Sequence, residues 1–184
     1  MDIKKLIESY CPVNLQEEKD KREILGILEA DADCFSRDNE KCHFTVSSWI
    51  VNRECTKVLF CYHKIYDSWS WVGGHADGDK NLLSVAVKEA REETGIEPVE
   101  WCEEILSLEI LPVAGHIKKG CYVSSHIHLN VTFLLYADED APLKINPDEN
   151  TGLKWIAFAD IPSMSTEKWM VDTIYSKITD KLSK

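Results

Sequence analysis

The order of sequence patterns predicts an α/β sandwich with mixed sheets. Helical periodicity in the first 35 or so residues is followed by two β-rich runs, an amphipathic helix, three more β-rich runs and a final helix. Elements in such an order bury their apolar faces by packing helices against sheets. With 184 residues, of which 44% are hydrophobic, the chain has room for one domain with a proper core.

The N-terminal segment is predicted to be a helical extension of that domain. Asn14 and Glu17 have the spacing of a capping box, and Ile24 begins a set of apolar residues that recur on one helical face. An acidic linker without clear periodicity follows. We therefore divide the chain into a helical extension, 1–41, and a main domain, 42–184.

The β-rich runs are recognised by their β-branched and aromatic residues. They are 43–51, 57–65, 102–113, 126–137 and 153–158. The first two are separated by five residues and are predicted to form a hairpin. The final helix is expected to begin near Ser165, and its apolar stripe consists of Val171, Ile174, Ile178 and Leu182.

Charge and composition exclude several classes of protein. The net charge of −11 repels polyanions, so a nucleic-acid groove is not expected, and a phosphate-bearing substrate would need a cation beside it. The chain lacks the roughly 18–20 consecutive apolar residues of a membrane span, and acidic residues interrupt its N-terminus too early for a signal peptide. Seven scattered cysteines are typical of free thiols in a reducing compartment. The expected location is the cytoplasm.

The helix predicted over 82–94 carries the most informative residues. Glu89, Glu92 and Glu93 converge within about 100° of arc, while the opposite face is apolar. Carboxylates this close repel one another, so they form either a solvated acidic stripe or a site for a hard cation such as Mg²⁺. Gly73 and Gly74 end the strand before this helix, where backbone can approach a ligand or offer a carbonyl to a metal; this favours the cation site.

The segment from Gly74 to Ile96 resembles the Nudix box. That motif is Gly, five residues, Glu, seven residues, then Arg-Glu-apolar-any-Glu-Glu-any-Gly-apolar. The matching positions here are Gly74, Glu89, Ala90, Glu92, Glu93, Gly95 and Ile96. The resemblance implies the Nudix-type α/β/α sandwich with mixed sheets, with the short helical N-terminal extension added to it.

The resemblance also implies a function. It is the hydrolysis of a diphosphate linkage in a nucleoside diphosphate joined to another moiety, a small nucleotide-type substrate. A homodimer is the assembly that we consider for this enzyme. Mg²⁺ is the implied cofactor, with Mn²⁺ as a substitute. The implied metal residues are Gly74, Glu89, Glu92 and Glu93, and Glu89 also stands as a candidate general base.

Two positions depart from the box. Lys80 stands where the family has glutamate, and Lys88 where it has arginine. In the family these two residues usually form an ion pair that orients the catalytic glutamate, which two lysines cannot do. The lysines should separate unless Asp77, Asp79 or Glu92 bridges one of them.

Candidate residues also lie outside the box. In proteins that this chain resembles, an acidic loop before such a strand often supplies an extra catalytic carboxylate, so Glu149, with Asp148 as second choice, is a candidate general base. The alternative is that this loop is an ordinary solvated turn. Along the fourth β-rich run, alternation puts His126 and His128 on a polar face, which is either a cleft wall that binds substrate or an exposed face. A metal pair formed by these two is disfavoured, since a carboxylate site for Mg²⁺ does not need imidazole.

Lys118 and Lys119 lie in a glycine-bounded basic loop that either binds a substrate phosphate or is only solvated.

Three alternatives to a hydrolase stay open. The first is a Nudix-fold binding or regulatory module with little or no turnover, and the departures at Lys80 and Lys88 keep it in view. The second is an isoprenoid diphosphate isomerase, and the third is a structural protein whose acidic helix is only a charged face. Mg²⁺ binding with turnover would indicate a hydrolase, and nucleotide binding without turnover would indicate a binding module. The absence of both would indicate a structural protein.

Overall fold

The computed structural model describes residues 2–30, 32–64, 67–118 and 120–183. The α-helices are α1 (Ile3–Ser9), α2 (Leu15–Ala30), α3 (Leu82–Thr94), α4 (Ile161–Met164), α5 (Lys168–Met170) and α6 (Ser176–Leu182). The strands are β1 (Cys42–Val51), β2 (Lys57–His63), β3 (Ser68–Ser70), β4 (Val72–His75), β5 (Glu100–Val113), β6 (His116–Lys118), β7 (Cys121–Val123), β8 (His126–Tyr136) and β9 (Asn150–Ala157). Short 3₁₀ turns cover Ala32–Phe35 and Phe158–Asp160. A π-helical turn, Val171–Tyr175, joins α5 to α6 without a break.

A mixed sheet forms the middle of the molecule. Its centre is the parallel pair β1 and β8, which stay in register from Cys42 opposite Ile127 to Val51 opposite Tyr136. The remaining pairs of this sheet are antiparallel: β5 with β8, β4 with β1, β2 with β1, and β3 and β9 with β2. Strands β6 and β7 form a separate two-stranded sheet.

The predicted hairpin of β1 and β2 is antiparallel, but the two strands pair at Val51 and Val58 only. Beyond that pair they diverge, because β1 pairs with β4 and β2 pairs with β9 and β3.

Two hydrophobic clusters cover the two faces of the sheet. Phe44 and Val46 of β1 pack in the cluster with α1, α2 and α3, whereas Trp49 and Val51 pack in the cluster with the C-terminal helices. The predicted sandwich, a mixed sheet between helices, is confirmed. No helix in the described part of the chain is long and apolar enough to cross a membrane.

The helices of the N-terminal segment pack directly on the sheet. The Asn14 side chain accepts a hydrogen bond from Glu17 N at 2.9 Å, and the Glu17 carboxylate accepts one from Val13 N at 2.8 Å. The bond to Asn14 is the one that the capping-box spacing predicts, whereas the Glu17 carboxylate accepts from the residue before Asn14 and not from Asn14 itself. Ile7 and Ile24 are fully buried in the first cluster, so this segment contributes to the same core as the strands.

A buried ion cluster ties α2, β5 and α6 together. Lys177 Nζ lies 2.8 Å from Glu17 Oε1 and 2.8 Å from Glu109 Oε1, and both glutamates are at least 95% buried. Burial alone would lower the pKa of Lys177, but the two carboxylates raise it above its usual value. Burial raises the pKa of Glu109. Each carboxylate therefore depends on the lysine to remain charged in this place.

We expect Lys177→Met to lower the free energy of unfolding by about 3–5 kcal/mol, because it leaves two buried carboxylates without a cation. The matched control is Lys57→Met, which removes a partly exposed pair with Glu139. Water screens that pair, so its loss should matter far less. Urea unfolding followed by circular dichroism measures both, and equal effects would contradict the importance of the buried cluster.

Candidate active site

Two glycines at the end of β4 bring three elements into contact. Gly73 pairs with Ser47 and Gly74 with Val46 of β1. A Cβ atom at Gly73 would overlap the carbonyl oxygen of Val46, and one at Gly74 would lie 2.5 Å from Cδ of Glu89. The first glycine is thus required by the sheet and the second by the carboxylate that lies against it.

Helix α3 presents its glutamates to this strand. Its apolar residues Leu83, Ala86, Val87 and Ala90 are buried, as the sequence predicts. The helix ends at Gly95, whose φ of 70° is left-handed and favours glycine. Glu93 is 5% exposed, and its carboxylate accepts a hydrogen bond from Gly73 N at 3.2 Å.

Three carboxylates meet at this point. Glu89, Glu93 and Glu149 each offer an oxygen, and these oxygens lie within 4.8 Å of one another. Glu149 comes from the loop before β9, where Asn146 Nδ2 donates to its carboxylate at 3.2 Å. The buried Asn150 donates to the carbonyl of Glu93 at 3.1 Å and so anchors this loop to the end of α3. Sequence reasoning missed Asn150, because nothing in a turn-forming segment distinguishes an anchor from a loop residue.

The electrostatics of the three glutamates fit a hard cation. Burial, assisted by the charge of Glu149, raises the pKa of Glu93 to about 8. Burial also raises the pKa of Glu89, although Lys88 opposes the shift. Three carboxylates at this separation repel one another unless a cation or protons intervene, and Mg²⁺ prefers such oxygen ligands. The residues present therefore suit the ion that the family implies.

Glu92 lies apart from these three glutamates. Its carboxylate is 3.1 Å from Lys88 Nζ, and its side chain is half exposed. The sequence predicts that Asp77, Asp79 or Glu92 bridges one of the two lysines, and Glu92 does so for Lys88. The role of Glu92 as a metal ligand stays a prediction. Lys80 instead lies over the ring of Phe35, 5.7 Å from its centroid. Asp77 pairs with Arg37 at 2.5 Å, a partner that lies outside the Nudix-like segment.

A cleft of about 240 Å³ opens beside Gly73 and Gly74. His128 and Asn130 line it, so the polar face of β8 is a cleft wall rather than a solvated face. Burial and the neighbouring imidazoles of His75 and His43 lower the pKa of His128 to about 3. His126 lies outside this cleft, at the adjoining cavity that His128 also lines.

Aromatic residues form another part of the cleft lining. They are Trp71, Trp169 and Tyr175. Sequence reasoning did not place Trp169 or Tyr175 at the site, because they belong to the C-terminal helices and only the tertiary fold brings them near β4. Lys118 ends β6, and Lys119 lies outside the described residues.

We expect Gly74→Ala to weaken Mg²⁺ binding by about 10–100-fold, the typical effect of disturbing a group that orients a ligand. The new methyl group would displace the flexible end of Glu89 and leave the fold intact. Gly73→Ala, which overlaps backbone, should instead destabilise the protein by about 1–3 kcal/mol. Calorimetric titration and thermal unfolding separate the two effects, and the same phenotype in both variants would contradict the assignment.

Comparisons with known structures agree with this architecture. A NUDIX-family hydrolase from Clostridium perfringens has a TM-score of 0.54 at 22% identity, with 76% of this chain and 97% of that chain covered. A C. elegans Ap4A hydrolase has a TM-score of 0.52 at 15% identity, with 76% and 96% covered. A MutT protein from Methanosarcina mazei Go1 has a TM-score of 0.57 at 17% identity, with 77% and 95% covered. At these identities the likeness shows a shared fold.

The family rests on a sequence comparison. A search of curated proteins found no significant match. The family model described as NUDIX domain matches residues 42–179, which is most of the chain. The predicted family is therefore confirmed, and the protein is a member of the NUDIX domain family.

Proposed function

We propose that this protein is a Mg²⁺-dependent pyrophosphohydrolase that cuts a diphosphate linkage in a nucleoside diphosphate joined to another moiety. The observation that carries the proposal is the convergence of Glu89, Glu93 and Glu149 at the end of β4. Membership of the NUDIX domain family supports the class of reaction. The adjoining cleft supports a small-molecule substrate.

Glu89 and Glu93 would hold Mg²⁺, or Mn²⁺ in its place, and Glu149 would lie next to the ion. When bound, the cation would neutralise the charge of the diphosphate and polarise its phosphorus–oxygen bonds. Glu93 is held by Gly73 N and Glu89 lies against Gly74, so both carboxylates are positioned by backbone. Such fixed positions lower the reorganisation that the reaction requires.

Glu149 is our choice for the general base, with Glu89 as the alternative. Glu149 is exposed on its loop, whereas Glu89 is largely covered and Glu93 is buried. An exposed carboxylate can take the proton of a water molecule as the water oxygen attacks phosphorus. The bond from that phosphorus to the bridging oxygen then breaks, and two phosphate products leave.

The cleft favours a substrate with a flat aromatic part. Trp71 and Trp169 line it together with Gly73 and Gly74, whereas Tyr175, which also lines it, is fully buried in the hydrophobic core. Nucleobases stack on side chains such as those of the two tryptophans. One structural neighbour is an Ap4A hydrolase from C. elegans. A substrate screen should therefore include dinucleoside polyphosphates as well as nucleotide sugars and deoxynucleotides.

We expect Glu93→Gln to fold normally but to lower Mg²⁺-dependent turnover by orders of magnitude, because it removes a charge at the centre of the three glutamates. Glu92→Gln is the comparison, and its effect should be smaller because Glu92 pairs with Lys88 outside the group. Phosphate release from the best substrate of the screen measures both variants. Wild-type turnover in Glu93→Gln would refute the metal assignment, and nucleotide binding without any turnover in the wild type would favour a binding module.

Glu149→Gln tests the general base. Loss of a base typically lowers turnover by about 10²–10⁴-fold, and the Michaelis constant should change much less. Asp148→Asn is a matched control from the neighbouring position of the same loop. A change confined to the Michaelis constant would make Glu149 a substrate contact, and transfer of the large effect to Asp148→Asn would reverse the assignment.

A further inference from the structure

A second group of ligand-type side chains lies next to the cleft. All six histidines of the chain line one cavity of about 410 Å³: His43, His63, His75, His116, His126 and His128. Three of them, His63, His75 and His128, also line the cleft beside the glutamates. Imidazoles concentrated in this way form a different donor set from the carboxylates.

The register of the sheet produces this concentration. His43 of β1 lies directly opposite His128 of β8, and Thr45 lies opposite His75 of β4. Directly paired residues share a face of the sheet, so three histidines from distant parts of the sequence face the same side. The ring centroid of His43 lies 5.2 Å from that of His75 and 5.0 Å from that of His128.

His43 has a buried nitrogen that lacks a partner. Its ring is 4% exposed, and Nδ1 lies 2.9 Å from the carbonyl oxygen of Asn39. A carbonyl can only accept, so Nδ1 carries the proton and the neutral ring keeps its lone pair on Nε2. That Nε2 is buried and has no hydrogen-bond partner among the described residues. An unpaired buried acceptor is unfavourable unless a donor or a cation meets it.

His128 is oriented in a similar way by its neighbour. His126 donates from Nδ1 to the carbonyl of Ser124 at 2.9 Å, so its Nε2 is an acceptor. That Nε2 lies 3.2 Å from Nε2 of His128, which therefore donates to it and keeps its own lone pair on Nδ1. Metal-binding histidines characteristically donate their second ring nitrogen to such a partner.

We propose that His43, His75 and His128 form a second metal site, separate from the glutamates, for a borderline transition cation of the Zn²⁺ type. Each residue offers one ring nitrogen, and the three nitrogens lie within 4.8 Å of one another. Nitrogens bound to one zinc at 2.0–2.1 Å would be about 3.4 Å apart, so small side-chain rotations would complete the site. Three protein ligands leave a further coordination position for water or a ligand from the cavity.

The donor set also distinguishes this site from a phosphate pocket. An anion needs N–H donors, and the single N–H groups of neutral His43 and His128 already donate to Asn39 and His126. Anion binding would therefore require protonated imidazoles, and rings packed about 5 Å apart would then repel one another. The buried lone pair of His43 attracts a cation and repels an anion. Sequence reasoning considered only His126 with His128, and it could not foresee that β1 and β4 would supply His43 and His75.

The test is calorimetric titration of the full chain with Zn²⁺ in the presence of saturating Mg²⁺, repeated with Co²⁺ and visible absorption. We expect one Zn²⁺ per chain and a Co²⁺ spectrum of nitrogen ligation. His75→Gln and His128→Gln should each weaken Zn²⁺ binding by more than the roughly 10–100-fold that loss of an outer-shell partner causes. Glu93→Gln should keep Zn²⁺ binding while it loses Mg²⁺ binding.

His116→Gln is the matched control, because His116 lines the same cavity but lies outside the proposed ligand set. It should bind Zn²⁺ as the wild type does. His43→Gln alters a buried residue, so its Zn²⁺ affinity is interpreted only if circular dichroism shows a native fold. If it does not fold, the test is made with His75→Gln, because His75 is only half-buried. Absence of Zn²⁺ binding, displacement of Zn²⁺ by Mg²⁺, or wild-type affinity in the His75 and His128 variants would each overturn the proposal.

Discussion

The parallel pairing of β1 with β8 is the constraint on which the rest of the molecule depends. Side chains alternate along each strand, and directly opposite residues share a face. One face therefore carries Phe44 and Leu129 into the hydrophobic core, and the other carries His43 and His128 toward the cavities. A shift of one residue in this register would exchange the two faces and lose the core and the site together.

The arrangement of the glutamate site lowers the stability of the folded protein locally. Burial and mutual repulsion disfavour ionised Glu89 and Glu93, yet the fold holds both against the two glycines of β4. Stability is supplied elsewhere, by the two hydrophobic clusters that cover the faces of the sheet. A region in which like charges are held together is typical of a functional site.

Local features of the sequence predicted much of this arrangement. The spacing of Glu89 and Glu93 placed them on one face of α3, and Gly95 marked its end. The loop acid Glu149 was foreseen as a candidate, and the structure brings it to the same point. The helical face and the helix end depend on neighbours in sequence, which explains why they could be predicted. Glu149 was chosen from the family resemblance, and its role as general base stays a prediction.

Features that depend on tertiary contacts could not be predicted from the local sequence. The meeting of histidines 43, 75 and 128 follows from strand register between segments far apart in the chain. The pairing of Asp77 with Arg37 likewise joins the loop after β4 to the segment before β1. The pairing of Glu92 with Lys88 is different, because the two residues lie four apart on α3 and Glu92 was among the acids expected to bridge a lysine.

The π-helical turn at Val171–Tyr175 has a consequence for the position of Lys177. A π turn holds one residue more per hydrogen-bonded loop than an α turn. The extra residue is therefore taken up within the turn, and α6 leaves it in the phase that brings Lys177 to Glu17 and Glu109. Plain α-helical winding of the same residues would rotate everything that follows by about 100° and point Lys177 away from both carboxylates. The position of Lys177 thus depends on the winding of the helix that precedes it as well as on its own chemistry.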